Sequence, residues 1–269
     1  MYRYLNVLLR SNFFDKLPRF FSRRLFKIFK IFFVETKLNS LPENNHPINI
    51  NYELQKKIIK DSSKEFFKPF NTCNYLLEIL NIFSQYQKEI KFYDFGANNL
   101  DNYLYLNKNI KNLQYFYHDK PNFNKIIKQI IKENRLENIF VDEDFALNMS
   151  ELDFAFFGSS IQYINDYKSV IKKMCKKNPK FFVFSLTTFF DSSSPSKDKV
   201  LKQVNLHPII NYSYLLNYKN FIDFMELNNY KLINKNKNNL IKFLNFKNFD
   251  QSYKFIDALD LIFTKKIAT

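Results

Sequence analysis

Up to about residue 90 the apolar positions recur at helical spacing, and beyond it short apolar runs alternate with longer periodic ones. In the first segment Leu17, Phe21, Leu25, Ile28, Phe29 and Phe32 fill one arc of a helix drawn at roughly 100° per residue. Lys16, Arg19, Arg23, Lys27 and Lys30 fall on the other side, within an arc of roughly 80°. The pattern predicts a basic amphipathic helix over residues 1–35, with Pro18 marking a helix start. Pro42 and Pro47 punctuate a polar linker, and helices are predicted over Tyr52–Phe67 and Asn74–Tyr86, so residues 36–90 read as linker and helical lead-in.

From residue 91 the period changes. Phe92–Phe95, Gln114–Tyr117, Ile139–Val141, Phe154–Phe157 and Phe181–Leu186 read as strands, separated by helices over Leu100–Asn107, Phe123–Glu133 and Tyr167–Lys176. Such alternation predicts an α/β domain over residues 91–269, its sheet mostly parallel with helices on both faces. A loop opens at Ser192, a helix covers Lys219–Asn228, and Tyr230–Ile233 with Leu259–Phe263 form an antiparallel terminal hairpin.

Glycine sharpens this picture by its scarcity. An average composition would supply about nineteen in a chain of this length; here there are two, Gly96 and Gly158, each ending a predicted strand. In an open α/β sheet the carboxyl ends of strands are where ligands bind, and a residue without a Cβ lets backbone come close. The two survivors therefore mark a crevice.

Charge adds less. The net charge of +15 suits a phosphate-bearing partner or an anionic membrane surface, yet Lys, Asn, Ile, Phe and Tyr crowd every segment, as compositional drift alone would produce. Only residues 1–35 cluster it, as a helix that either lies on an anionic membrane or packs its apolar face on the domain. Elsewhere the lysines are spread, and no specific nucleic-acid partner is expected. Cys73 and Cys175 form no metal spacing or disulfide framework, which fits a reducing cytoplasm, and no apolar run approaches the roughly 18 residues of a spanning helix. A cytoplasmic protein, peripheral at most to the inner face of the membrane, is expected. The histidines His46, His118 and His207 are scattered, so no metal site is expected.

Four ordered pieces carry a resemblance: Tyr93-Asp94-Phe95-Gly96-Ala97, Tyr117-His118-Asp119-Lys120-Pro121, Phe157-Gly158-Ser159-Ser160-Ile161-Gln162-Tyr163-Ile164, and the stretch from Gln203 to Phe221. Together they resemble class I, Rossmann-like S-adenosylmethionine-dependent methyltransferases, and more closely the methyltransferases encoded among genes for bacterial surface polysaccharides. The resemblance implies S-adenosylmethionine as cofactor, a sugar or other small polar acceptor, free or lipid-linked, and methyl transfer to it. It implies cofactor contacts from Asp94, Gly96, Ala97, Asn98, Asp119, Asp142, Asp144, Gly158 and Ser159, with the Gly96 and Ala97 amides facing the methionine end. Acceptor contacts would come from Ser160, Gln162, Tyr163, Gln203, Tyr212, Tyr214 and Asn217, and His207 and Tyr163 are the catalytic candidates.

Each role has a competitor. Asp119 either accepts from ribose hydroxyls or caps the following helix, Asp142 and Asp144 either meet the adenine or line a solvated turn, and Tyr163 either orients the acceptor or packs in the core. The family's Gly-x-Gly-x-Gly falls here on Gly96, Asn98 and Leu100. Asn tolerates positive φ and stands in for the second glycine, whereas Leu100 cannot in that way stand in for the third. The alternative to an enzyme is therefore a catalytically inactive methyltransferase fold kept as an interaction module; an RNA methyltransferase is the remoter reading.

Overall fold

The computed structural model describes residues 31–43, 52–62, 74–86, 89–143, 151–192, 196–204, 211–238 and 253–266, with single positions 4, 8, 9, 11, 14, 16, 24, 28, 246, 248 and 249. Its centre is the parallel sheet that the aromatic runs predict. Strands β2 (Ile90–Phe95), β3 (Leu113–His118) and β5 (Phe154–Gly158) are buried along nearly their whole length, as strands covered on both faces must be. With β4 (Ile139–Val141), β6 (Phe181–Ser192), β9 (Tyr230–Lys237) and β10 (Tyr253–Lys265) they give the order β4-β3-β2-β5-β6-β10-β9. Neighbours from β4 to β6 are parallel, and β10 runs antiparallel to both β6 and β9, the predicted terminal hairpin.

Alternation along these strands builds two cores. Phe92, Tyr115, Tyr117, Phe154 and Phe156 pack with Leu76 and Leu80 of α2 (Asn74–Tyr86), Tyr103 and Leu106 of α3 (Asp101–Asn109) and Ile127 and Ile130 of α4 (Pro121–Asn134). On the opposite face Tyr93, Phe95, Phe157, Phe182 and Phe184 meet Ile171 and Met174 of α5 (Tyr167–Lys176) and Phe221 and Met225 of α6 (Tyr218–Leu227). Helix α1 (Tyr52–Ser62) reaches α4 through the Tyr52 hydroxyl, which donates to Glu133 Oε2.

Beyond Leu186 the structure departs from expectation. The strand does not end there: β6 runs on to Ser192, and β10 accompanies it throughout, from Thr264 opposite Phe181 to Tyr253 opposite Ser192. A bulge makes the bend. Leu186 has φ of +51°, costly for a branched side chain, and Asp260 Oδ1 holds it by accepting from the Leu186 N–H (2.9 Å), the Ser185 hydroxyl (2.9 Å) and the Asn238 amide (2.7 Å). Past the bulge, Phe189 and Phe190 pair with Leu216 and Asn217 of β8 (Asn211–Asn217), which continues through β7 (Lys199–Gln203) to β1 (Phe33–Glu35) in an antiparallel sub-sheet. Residues 33–35, expected to end a helix, are thus a strand.

The described residues of the first segment include Leu9, Phe14 and Ile31, buried with Val34 and Val204. Ile28, assigned to the apolar face, is 69% exposed. Pro18, Leu17, Phe21, Leu25 and Phe29, with Arg19, Arg23, Lys27 and Lys30, lie outside the described residues. No helix among the described residues is long and apolar enough to cross a membrane.

Candidate functional site

The turn after β2 carries two left-handed residues, Gly96 at φ +67° and Asn98 at φ +61°. Asn98 thus adopts the conformation of a second glycine. Leu100 needs none: it starts α3 at φ −96°, its side chain is fully buried in the core, and Gln55 Oε1 of α1 accepts its N–H at 3.3 Å.

The reason for Gly96 differs from the expected one. A Cβ built there would stand 2.5 Å from the Ser160 Cβ, so the glycine admits the loop after β5. Ser160, assigned to the acceptor, donates its hydroxyl to the Phe95 carbonyl at 2.8 Å. The Gly96 and Ala97 amides, assigned to the methionine end, both donate to the His118 carbonyl, at 2.8 and 3.3 Å.

Asp119 ties the same two strand ends together. Its Oδ2 accepts from the Asn98 N–H and its Oδ1 from the Lys120 N–H, both at 2.7 Å. Asn124 of α4 grips its backbone, accepting from the Asp119 N–H at 3.0 Å and donating to the Asp119 carbonyl at 2.9 Å. Asp119 does not cap α4, whose N-cap is Lys120. Each carboxylate oxygen keeps a second lone pair, and burial, offset by those two amides, raises the carboxyl above its ordinary pKa.

Asp94 lies deeper and is fully buried. Its Oδ2 accepts from the Tyr115 hydroxyl and from the Asn102 amide at 2.9 Å, while Oδ1 is buried with no hydrogen-bond partner. Burial pushes its pKa up to about 7, against the lowering pull of Tyr115 and Asn102. Asp142, expected near an adenine, is turned inward: fully buried, it accepts from the Tyr93 hydroxyl at 2.8 Å and faces Lys177 Nζ at 3.6 Å. Its carbonyl meets His118 Nδ1 at 2.6 Å, and the imidazole stacks on Phe95 at 4.9 Å. Asp144 lies outside the described residues.

The loop after β5 forms the other wall. Gly158 stays in β5 opposite Ser185, and the left-handed residue is Ser159, at φ +56°. Gln162 donates to the Ser159 hydroxyl at 3.1 Å and to the Leu186 carbonyl at 3.2 Å, and its Oε1 is buried without a partner. The Tyr163 hydroxyl donates to Gln203 Oε1 at 3.2 Å, which also accepts from Asn211 at 2.8 Å. Burial pushes the Tyr163 hydroxyl up to about 12. Tyr214 donates to Asn165 Oδ1 at 2.8 Å, and half-buried Tyr212 packs against the core. Asn217, assigned to the acceptor, caps α6 by accepting from the Asn220 N–H at 3.0 Å and donates to Ser196 Oγ at 3.2 Å. His207 lies outside the described residues.

Gln55, Asn102 and Asn124 escape the sequence reading. All three are buried amides on helices, where Gln or Asn is unremarkable until its partner is known; a buried-face position occupied by an amide is the one signal that could have marked them.

Sheet order and strand directions are those of the class I methyltransferase fold, and solved structures at TM-scores of 0.51 and 0.50 agree. The chain is similar to a coclaurine N-methyltransferase bound to N-methylheliamine and SAH, at 11% identity and TM-score 0.51, over 98% of this chain and 96% of that one. It is also similar to the [4+2]-cyclase SpnF, at 7% identity and TM-score 0.50, over 81% of this chain and 94% of that one. A further match is an S-adenosylmethionine-dependent methyltransferase from Clostridium acetobutylicum, at 11% identity and TM-score 0.47, over 81% and 100% of the two chains. No protein-family model and no curated protein matches the chain. One fold here carries a methyltransferase and a cyclase, so activity must be argued from the site.

Proposed function

We propose that the chain binds S-adenosylmethionine at the carboxyl ends of β2, β3 and β5 and directs methyl transfer to a small polar acceptor. The carrying observation is Asp94 Oδ1. A buried carboxylate oxygen without a partner is costly, and the ammonium of a methionyl group supplies the charge-assisted donor it lacks. Asp119, with a free lone pair on each oxygen, suits a ribose diol. The residues fit the cofactor through these two acids rather than through the Gly96 and Ala97 amides, which His118 occupies. The SAH bound in the coclaurine N-methyltransferase supports this reading.

S-adenosylmethionine, when bound, supplies an electrophilic methyl group on sulfur. The chain's own contribution is alignment: Gln162 and Tyr163 on the loop after β5 orient the acceptor. Tyr163, held protonated near neutral pH, donates a hydrogen bond and does not serve as a base. His207 remains the candidate base. From the resemblance, the acceptor is a sugar, free or lipid-linked, in surface-polysaccharide assembly, with residues 1–35 holding the chain at an anionic membrane surface. The engaged Gly96 and Ala97 amides favour the second reading, an inactive fold kept for interaction.

Calorimetric titration of S-adenosylmethionine and S-adenosylhomocysteine into the full chain separates the two. The expected result is one-to-one binding that Asp119→Ala weakens by about 1.5–3 kcal/mol. Absence of binding to the wild-type chain overturns the enzyme reading.

A further inference from the structure

Strand β3 presents Tyr115 and Tyr117 on one face, two residues apart, both fully buried in the same core. Their hydroxyls fare differently. That of Tyr115 donates to Asp94 Oδ2, whereas that of Tyr117 is buried with no hydrogen-bond partner. Tyr117 is the register partner of Asp94 across the β2–β3 pair and lies two residues before Asp119. Two unpartnered oxygens, Asp94 Oδ1 and the Tyr117 hydroxyl, thus stand on paired residues near the carboxyl ends of β2 and β3. Folding alone gives no reason for the second: a phenylalanine would fill the same space without stranding a hydroxyl.

Resting on the cofactor reading above, we propose that the Tyr117 hydroxyl is itself a ligand contact, binding the polar body of an S-adenosyl ligand between the groups taken by Asp94 and Asp119. Burial and the negative charges of Asp119 and Asp94 hold the phenol well above its ordinary pKa, so it meets the ligand as a neutral O–H able to donate and to accept. An apolar ligand would leave this hydroxyl unsatisfied, and a purely anionic one would be repelled by the two acids; a ligand with an ammonium and a ribose meets all three.

Tyr117→Phe tests this by calorimetry with S-adenosylhomocysteine and by thermal unfolding of the unliganded full chain. The expected result pairs an affinity about five- to tenfold weaker with a melting temperature equal to or above that of wild type. Unchanged affinity in the variant overturns the contact. A lower melting temperature also overturns it, because the hydroxyl would then have a partner within the protein. Failure of the wild-type chain to bind removes the cofactor reading and this inference with it, whereas wild-type binding that the variant matches removes this inference alone.

Discussion

Two walls of residues stand at the carboxyl ends of the parallel strands, and they are built from different chemistry. The β2–β3 wall concentrates acid: Asp94 and Asp119 both have carboxyls raised by burial, and Asp94 Oδ1 and the Tyr117 hydroxyl lack partners. On the wall formed by the loop after β5 and by β7 and β8 the groups assigned to the acceptor are uncharged and largely cross-bonded, Tyr163 to Gln203 to Asn211 and Tyr214 to Asn165. The atoms left there without partners, Gln162 Oε1, Asn211 Oδ1 and Ser213 Oγ, belong to amides and a hydroxyl rather than to acids. An unpaired buried carboxylate attracts a cation at a standing cost to stability, while uncharged amides and hydroxyls give direction at a smaller one. The contrast assigns charge recognition to one wall and orientation to the other.

The strongest way to break that contrast is Asp94→Asn. With its folded pKa at about 7 against about 3.9 when unfolded, Asp94 holds a proton in the native state that the unfolded state releases between those values. Native stability therefore falls as pH rises through that window, by about 4 kcal/mol when complete. Asn carries no such proton, so the unfolding free energy of the unliganded variant relative to wild type should rise by about 4 kcal/mol between about pH 4 and about pH 8. Binding runs the other way. Wild-type affinity for S-adenosylhomocysteine should weaken about tenfold per pH unit below about pH 7, and the variant should bind far more weakly and lose the dependence that sets in near pH 7. Parallel stability curves for the two proteins would show that Asp94 is not the costly acid of this wall.

A smaller effect bears on how that wall is framed. Asn98 and Leu100 stand where two glycines are expected, and restoring glycine at both once looks like a route to tighter binding. The structure separates them: Asn98 already adopts φ +61°, and Leu100 sits at negative φ with its side chain in the core. Leu100→Gly should cost about 3 kcal/mol in denaturant unfolding through the cavity it leaves, with no gain in cofactor affinity. Tighter binding in a stable Leu100→Gly protein would mean that the side chain blocks the ligand rather than supporting α3.

The walls also differed in legibility, for a physical reason. The β2–β3 wall comes from consecutive strand–turn–helix units, so the contiguous pieces that carry the resemblance reach Asp94, Gly96, Asn98 and Asp119. What local spacing could not reveal was direction: that Asp142 points inward to Tyr93 and Lys177, or that the space beside Gly96 holds Ser160. The second wall depends on pairings of long sequence separation, Phe33 with Gln203 and Tyr253 with Ser192. Strand β7 carries lysines at Lys199 and Lys202 and β1 is three residues long, so neither announces itself as a strand. Asn217 was selected for the acceptor by its place in a motif, yet its side chain caps α6.

The smallest expected effect tests the neutral wall by itself. Tyr163→Phe removes a 3.2 Å hydrogen bond from a half-buried hydroxyl, and Gln203 Oε1 keeps its bond from Asn211 at 2.8 Å, so no acceptor is stranded. The loss of stability should stay below about 1 kcal/mol. Because Tyr163 belongs to the wall given to orientation, the variant should bind S-adenosylhomocysteine within about twofold of wild type, well inside the change a lost contact produces. A tenfold drop in that affinity would place the Tyr163 hydroxyl on the cofactor. The division of the crevice into a charged cofactor wall and a neutral acceptor wall would then fail where it is drawn, between Ser159 and Gln203.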